Sequence, residues 1–260
     1  MLSYRSPNYR HFRNLPRKGF RPSSSSTPCS ANPAASSTIR RDPPTVLHHA
    51  QSTAVSPTSA VHVGTSYEYL CAHALLRLGF TNLIRTGGRS DRGIDLLGYW
   101  KPPLLSPTSR GLPVIVQCKA TARKPGPEMI RELEGAIAGA PREWREDTTI
   151  GVLSAKKECT DGVRQAVKRS SRGLVWVMIE DVDKERGFLA GEDTGGKVKQ
   201  VLWNARVKEV LGDRVGSGLR YAMGKGGIEK DVCLTVDGRV WEPEMTINHS
   251  RAPDRRALIQ

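Results

Sequence analysis

Two short segments combine apolar runs with side chains that are expensive to bury. Gly93-Ile94-Asp95 begins one run, and Gln117-Cys118-Lys119 ends another. Because successive side chains of a strand point to opposite faces, Gln117 and Lys119 share one face of the second segment. If the two segments pair, Asp95 joins them at one end of a sheet. A buried carboxylate or ammonium is stable only when it is paired or bound to a metal ion, so this end is the predicted site.

These residue types suit the cleavage of a phosphodiester bond. One or two Mg²⁺ or Mn²⁺ ions can activate water, neutralise charge and stabilise the leaving oxygen. Asp95 would supply an anionic ligand, Gln117 a neutral side-chain carbonyl, and Cys118 a backbone carbonyl. Lys119 would lie beside the attacking water and stabilise developing negative charge. Glu68, further upstream, would hold a second ion or a bridging water.

Basic residues flank the predicted site and would contact backbone phosphates. We therefore expect a nucleic-acid partner, with DNA favoured over RNA, and a homodimer stays open. No apolar run approaches the roughly 20 residues of a membrane-spanning helix. The flanking basic residues are Arg85, Arg89, Arg92, Arg123 and Lys124.

A helix must precede the site and present Glu68. Apolar residues recur at helical spacing from Thr65 to Leu78, which predicts an amphipathic helix. Thr65 and Glu68 also match a capping box. Glu68 is therefore either a helix cap or a residue at the edge of the buried face that points towards the site.

Strand and helix patterns alternate after this helix. The order of helix, three strands, helix, strand, helix and strand predicts an α/β sandwich with a mixed central sheet flanked by helices. Further on, we expect a helix over Lys199–Leu211 and a hairpin of Asp231–Val236 with Arg239–Trp241, turning at Asp237-Gly238. The predicted strands of the sheet are Leu83–Thr86, Ile94–Tyr99, Val114–Lys119, Thr149–Ser154 and Leu174–Ile179, and the predicted helices between them follow Pro127 and span Gly162–Ser170.

The site residues resemble a family pattern. A helical Glu, then Gly-x-x-Asp-x-Gly-Ile-Asp, then a strand ending Gln-Cys-Lys is similar to the Mrr-like branch of the PD-(D/E)XK restriction-endonuclease superfamily. The resemblance covers about residues 62–180 and implies an αβββαβ core and an Mg²⁺-dependent nuclease. It maps the family's site onto Glu68, Asp95, Gln117 and Lys119, with Asp91 as a further acid.

The chain departs from this family pattern in two places. The loop Lys101–Pro113 is longer than a simple bacterial version would need, and Gln117 stands where many members carry Asp or Glu. A second resemblance covers the whole chain, which is similar to fungal mitochondrial proteins required for respiratory growth. It includes Leu202-Trp203-Asn204 and the segment from Asp237 to Pro243.

Half of the formal charge of +14 lies in the N-terminal segment, residues 1–60, which hold eight basic residues and one acid, Asp42. A segment that is poor in acids, rich in Arg and Ser, and without a secretory apolar core favours mitochondrial import, and the alternative is an ordinary disordered tail. We predict this segment, an endonuclease-like domain over 61–182, and a C-terminal extension over 183–260 packed on the core.

Two classes of function follow from these observations. The first is a metal-dependent nuclease that acts on nucleic acid in the mitochondrial matrix and supports genome maintenance or respiratory growth. The second is an inactive nuclease fold that binds nucleic acid or assists assembly. Intact Asp95, Gln117 and Lys119 favour the first, because a binding module needs no buried lysine beside a carboxylate.

Overall fold

Helices and strands alternate along the part of the chain that the computed structural model describes, namely residues 59–86, 93–106, 108–180, 196–224 and 227–243. Almost all of the predicted import segment lies outside these ranges. The described elements are α1 (Ala60–Leu76), β1 (Phe80–Arg85), β2 (Leu96–Trp100), β3 (Leu112–Lys119), α2 (Glu128–Gly139), a short 3₁₀ helix (Arg142–Trp144), β4 (Ile150–Ala155), α3 (Asp161–Arg169), β5 (Gly173–Ile179), β6 (Val198–Trp203), α4 (Ala205–Leu211), β7 (Val215–Gly224), β8 (Gly227–Val236) and β9 (Arg239–Val240).

Helix α1 begins earlier than the apolar spacing predicts. Ser59 is its N-cap, and the Ser59 side chain accepts a hydrogen bond from the backbone N–H of His62. Thr65 therefore lies inside the helix, where the backbone N–H groups already have helical partners. The capping-box interpretation of Thr65 and Glu68 is wrong.

The first six strands form one sheet in chain order, from β1 to β6. Strands β1, β2 and β3 are antiparallel neighbours, β3, β4 and β5 are parallel, and β6 runs antiparallel to β5. In the parallel strands Lys119, Ala155 and Met178 occupy one row at the C-terminal end. This mixed sheet flanked by helices confirms the predicted fold class.

Apolar side chains cover both faces of the sheet. On one face α1 buries Tyr67 in a cluster with Val116. On the other face α2 and α3 bury Leu133 and Val163 in a cluster with Ile115. Because Ile115 and Val116 are consecutive strand residues, they point to opposite faces, and each buried side chain of this size stabilises the fold by about 1.5–3 kcal/mol.

The expectation of one helix over Lys199–Leu211 is wrong. Its first part is strand β6, which satisfies its backbone by pairing with the edge of β5. A short apolar run is compatible with a strand or a helix, and the available sheet edge decides between them. Helix α4 starts only after Asn204, whose side chain accepts a hydrogen bond from the Val207 N–H.

A second sheet follows, in the order β7-β8-β9. The predicted turn at Asp237-Gly238 is present, since β8 and β9 pair on either side of it. The sequence reading missed β7, whose glycines at Gly216 and Gly218 weaken the strand pattern. None of the described helices is long and apolar enough to cross a membrane.

Candidate active site

Asp95 lies at the point where the pairing of β2 with β3 ends. The last pair is Leu96 with Val116, and Asp95 then donates its N–H to the Val116 carbonyl at 3.0 Å. On its other side the Asp95 carbonyl accepts from the Thr86 N–H at 2.9 Å. The carboxylate oxygen Oδ2 accepts a hydrogen bond from the Cys118 N–H at 2.5 Å. Backbone from two neighbouring strands therefore orients Asp95.

Gln117 is buried at the same end of the sheet. Only 4% of it is exposed, and its amide oxygen Oε1 has no hydrogen-bond partner among the described residues. Gly93, whose φ is +78°, lies against the amide, because a Cβ there would come within 2.9 Å of Nε2. An orphaned buried oxygen costs about 1–3 kcal/mol, so Gln117 destabilises the fold unless another group satisfies this oxygen.

Lys119 ends β3 with its ammonium held in place. Its Nζ lies 2.6 Å from Oε2 of Glu132, on α2. The lysine side chain is 25% exposed and the glutamate 52%. Sequence reasoning did not assign Glu132 to the site. The signal that could have found it is an acid on the helix that crosses over directly after β3.

Glu68 lies on α1 and forms an ion pair with Arg85 at the end of β1. The Arg85 guanidinium also donates to Thr65 Oγ1 at 3.1 Å and lies 5.9 Å from the Tyr69 ring centroid. Arg85 was predicted to contact phosphates. The structure shows it partly exposed and paired with Glu68, and its contact with phosphates stays a prediction.

The Cys118 thiol lies near both Glu68 and Asp95. A hydrogen bond with Cys71 and burial raise the pKa of the Cys118 thiol, and the nearby carboxylates of Asp95 and Glu68 raise it further. Cys118 packs against the cluster beneath α1. Glu68 and Asp95 therefore both lie near the half-buried Cys118, which contributes its N–H, and not its carbonyl, to the described contact with Asp95.

The predicted site residues approach this end of the sheet from both faces. Glu68 comes from the α1 face, whereas Lys119 contacts Glu132 on the α2 face. Gln117 lies two residues before Lys119 in β3, so strand alternation puts its side chain on the same face as Lys119. Asp95 accepts a hydrogen bond from the backbone of β3 at this end. These positions put the Asp95 carboxylate, the Gln117 amide and the Lys119 ammonium at one end of the sheet.

A polar network anchors α1 beside the site. Cys71 Sγ lies 3.1 Å from Ser154 Oγ on β4, and the Tyr67 hydroxyl donates to the Ile179 carbonyl at 3.1 Å. Burial is the main cause that raises the pKa of Tyr67, so the phenol stays protonated. The network ties the helix that carries Glu68 to β4 and β5.

The other predicted phosphate contacts are less closely tied to the site. Arg123 and Lys124 are exposed in the loop that follows β3. Arg89, Arg92 and Asp91 lie outside the described residues. Within the described ranges no three His, Cys, Asp or Glu side chains converge as a metal-binding group.

Comparison with known proteins identifies relatives in fungi. A mitochondrial protein of Schizosaccharomyces pombe is 33% identical over 169 residues, which cover 64% of this chain and 60% of that protein. The protein named Required for respiratory growth protein 7, mitochondrial, of Eremothecium gossypii is 30% identical over 195 residues, covering 59% of this chain and 81% of that one. Its Saccharomyces cerevisiae namesake is 25% identical over 175 residues, covering 53% and 72%.

The match spans less than two thirds of the Schizosaccharomyces pombe protein. No solved structure matches the chain. The family described as Required for respiratory growth protein 7 matches residues 59–109 and 104–211, which together exceed half of the sequence. These ranges contain α1, the six-stranded sheet and the candidate site, and the chain belongs to the Required for respiratory growth protein 7 family.

Proposed function

We propose that the protein is a metal-dependent nuclease of the restriction-endonuclease-like type that hydrolyses phosphodiester bonds of mitochondrial nucleic acid. The observation that carries the proposal is the orphaned amide oxygen of Gln117, buried at the sheet end where Asp95 is oriented by β3. A neutral oxygen and a carboxylate are the donor types that Mg²⁺ and Mn²⁺ accept. DNA is the favoured substrate over RNA.

The residues present fit such an ion. Asp95 and Gln117 would hold it, Glu68 would extend the ligand set from α1, and the Cys118 carbonyl is a further candidate donor. When bound, the ion would activate water and neutralise charge on the phosphate. The Cys118 N–H keeps the Asp95 carboxylate oriented, and Lys119, held by Glu132, places a positive charge where negative charge develops.

The element order supports the same proposal. The family pattern implies an αβββαβ core, and the described chain runs α1, β1, β2, β3, α2, β4 in that order. The acid precedes the second strand and the Gln-Cys-Lys triplet ends the third, as the resemblance to the PD-(D/E)XK superfamily implies. A fold by itself does not indicate an activity. The proposed activity therefore rests on the side chains at the end of β3.

We infer that the protein acts in mitochondria. Its relatives in three fungi are named mitochondrial, and two of them are named for respiratory growth. The basic, acid-poor segment of residues 1–60 is consistent with import into the matrix. Fusion of this segment to a fluorescent protein should direct the fusion to mitochondria, and a fusion that stays cytosolic would contradict the inference.

The test of activity uses the full chain and labelled single-stranded and double-stranded DNA and RNA. Cleavage should occur with Mg²⁺ or Mn²⁺ and stop when a chelator is added. Asp95→Asn, purified in the same way, controls for contaminating nucleases. Cleavage by parent and variant at equal rates would contradict the proposal.

A second function is favoured by one observation. Glu68 is already ion-paired with Arg85, and the described residues hold no convergent group of three His, Cys, Asp or Glu side chains. An inactive nuclease fold that binds nucleic acid or assists assembly would have this character. Tight binding of nucleic acid with no cleavage in either Mg²⁺ or Mn²⁺ would favour this second function over the nuclease.

A further inference from the structure

The hairpin of β7 and β8 presents an exposed apolar face, which we name the ribbon face. The two strands pair over ten residues each, and Met223 lies opposite Ile228 while Tyr221 lies opposite Lys230. Met223 is 82% exposed and Ile228 70%. With Tyr221 and Leu219, the face holds four of the nine exposed large hydrophobic side chains among the described residues. Such a concentration is typical of an interaction surface.

The acids of the hairpin point away from the ribbon face. Glu229 forms an ion pair with Lys197, next to β6. Asp231 accepts hydrogen bonds from Arg77 Nε at 3.2 Å and from the Val198 N–H at 2.7 Å. Lys230 is therefore the charged residue that β7 and β8 present on the ribbon face. A molecule that binds the ribbon face must therefore accommodate or attract a positive charge.

The pair of Tyr221 and Lys230 suits a nucleic-acid strand. The Lys230 Nζ lies 5.8 Å from the Tyr221 ring centroid, and Tyr221 is 58% exposed. An exposed aromatic ring offers a stacking surface to a base, and a neighbouring ammonium can contact the phosphate of the same nucleotide. A base in a duplex already stacks on its neighbours, so the ribbon face favours unpaired bases.

The tip of the hairpin lies at the same end of the sheet as the candidate site. Glu229, next to Ile228 near the tip of the hairpin, contacts Lys197, whose carbonyl accepts the Glu180 N–H at 2.9 Å. Glu180 follows β5 directly, beyond the row that contains Lys119. Since neighbouring strands are about 4.8 Å apart, β6 lies about 14 Å from β3.

Positive side chains stand between the candidate site and the hairpin. Strand β3 ends at Lys119, and β4 leads directly into Lys156 and Lys157. The Lys156 Nζ lies 5.0 Å from the Tyr67 ring centroid, on the α1 face of the sheet. These ammonium groups would attract the phosphates of a strand that crosses the sheet end.

We propose that the ribbon face binds unpaired bases of a nucleic-acid strand whose phosphates follow Lys119, Lys156 and Lys157 towards the candidate site. The proposal deepens the proposed function and rests on it, because it names single-stranded nucleic acid as the substrate form that the site receives. Tyr221 stacks on a base, Lys230 contacts its phosphate, and Met223 with Ile228 covers the next base.

The test measures binding of the full chain to a fluorescein-labelled single strand in the presence of a chelator, so that cleavage does not enter. Tyr221→Ala should weaken binding about tenfold, the loss expected for one stacked base. Tyr221→Trp should restore it, because the ring returns. Val210→Ala is the matched control, since Val210 is also half exposed but lies on α4, which begins beside the first residues of β5.

A second variant tests the path of the phosphates. Replacing Lys156 and Lys157 by Gln should lower the slope of log Kd against log salt by roughly 1–2, because two phosphate contacts are lost. The Tyr221→Ala variant should leave that slope unchanged. This separates a stacking role on the hairpin from an electrostatic role along the sheet end.

The proposal is overturned if Tyr221→Ala binds the single strand as tightly as the parent, or if the duplex binds more tightly. It is also overturned if ribbon-face variants convert a dimer into a monomer in sedimentation, which would assign the face to a second copy. Ribbon-dependent binding by a parent that cleaves nothing with Mg²⁺ or Mn²⁺ supports the ribbon inference and removes only the nuclease function.

Discussion

The backbone N–H of Cys118 donates a hydrogen bond of 2.5 Å to Oδ2 of Asp95, so the backbone of one strand orients the acid that precedes its neighbour. A hydrogen bond to a carboxylate is stronger than one to a neutral oxygen and holds the acid in one orientation. This contact lets the charge of Asp95 be tested apart from its position, because an amide oxygen can accept the same bond.

Asp95→Asn should abolish metal-dependent cleavage while the protein stays folded. The amide keeps an acceptor for the Cys118 N–H and loses the negative charge that would hold the cation. We expect the cleavage rate to fall by at least about a hundredfold, with binding of nucleic acid in chelator unchanged. Cleavage with single-turnover kinetics and circular dichroism provide the measurements. An active, normally folded variant would remove Asp95 from the site.

Lys119→Ala should also abolish cleavage while binding survives, because one phosphate contact is a small part of the interface. Glu132→Gln is the companion variant, since Glu132 holds the Lys119 ammonium at 2.6 Å. It should reduce the cleavage rate less than Lys119→Ala does, because the ammonium remains. If Glu132→Gln lowers the cleavage rate more than Lys119→Ala does, Glu132 and not Lys119 has the catalytic role.

Gln117→Glu discriminates most sharply between a ligand and a structural residue. As a ligand, the new carboxylate should bind Mg²⁺ more tightly, and cleavage should saturate at lower Mg²⁺. As a structural residue, a buried Glu would destabilise the fold by several kcal/mol or become neutral, and Mg²⁺ would not restore stability. The measurement is Tm with and without Mg²⁺, beside the cleavage rate. Equal destabilisation in both conditions would show that Gln117 is no ligand.

Asn204→Ala should lower the free energy of unfolding by about 2–4 kcal/mol, because several buried backbone groups lose their partner. The Asn204 side chain accepts from the N–H groups of Leu174 and Val207, and donates to the carbonyls of Val167 and Arg172. Urea unfolding measures the change. Ser217→Ala, on an exposed strand position, is the control and should change stability by less than about 0.5 kcal/mol. Equal stability of the two variants would contradict the prediction.

Cys159 should resist alkylation in the native protein. Burial is the main cause that raises the pKa of its thiol from 9.0 to about 11, partly offset by Arg164. At pH 8 the thiolate fraction is then about a hundredfold lower than in the unfolded chain, and the thiolate is the reactive form. Mass spectrometry after iodoacetamide treatment, with and without urea, measures the ratio. Equal modification in both states would contradict it.

The same shift fixes the sign of a pH effect on stability. A raised pKa in the folded state favours the fold fully below the unfolded value of 9.0. As the pH rises from 9 towards 11, the unfolded thiol ionises first and this contribution is lost. Cys159→Ser should therefore flatten the decline in Tm over this interval, relative to the parent.

Periodicity was sufficient for most of the sheet. Alternation, short apolar runs and helical spacing predicted three strands, a helix, a strand, a helix and a strand in the observed order, because each helix buries one face and the central strands bury both. The ends differ by a few residues. Strand β1 starts at Phe80 rather than Leu83, where Phe80 stacks on Trp100 with ring centroids 5.1 Å apart. This contact between separate strands extends β1. The spacing of apolar residues within β1 does not predict it.

The sequence by itself determined that Asp95 and Gln117 would lie at neighbouring strand ends, since polar residues that close apolar runs must emerge where strands end. Only the tertiary structure decided their partners. Arg85 pairs with Glu68 on α1, and Lys119 with Glu132 on α2, because packing helices on opposite faces brings charges together across the chain. The orphaned oxygen of Gln117 and the exposed ribbon face were likewise decided by packing, since burial of a side chain depends on every element around it and not on its neighbours in sequence.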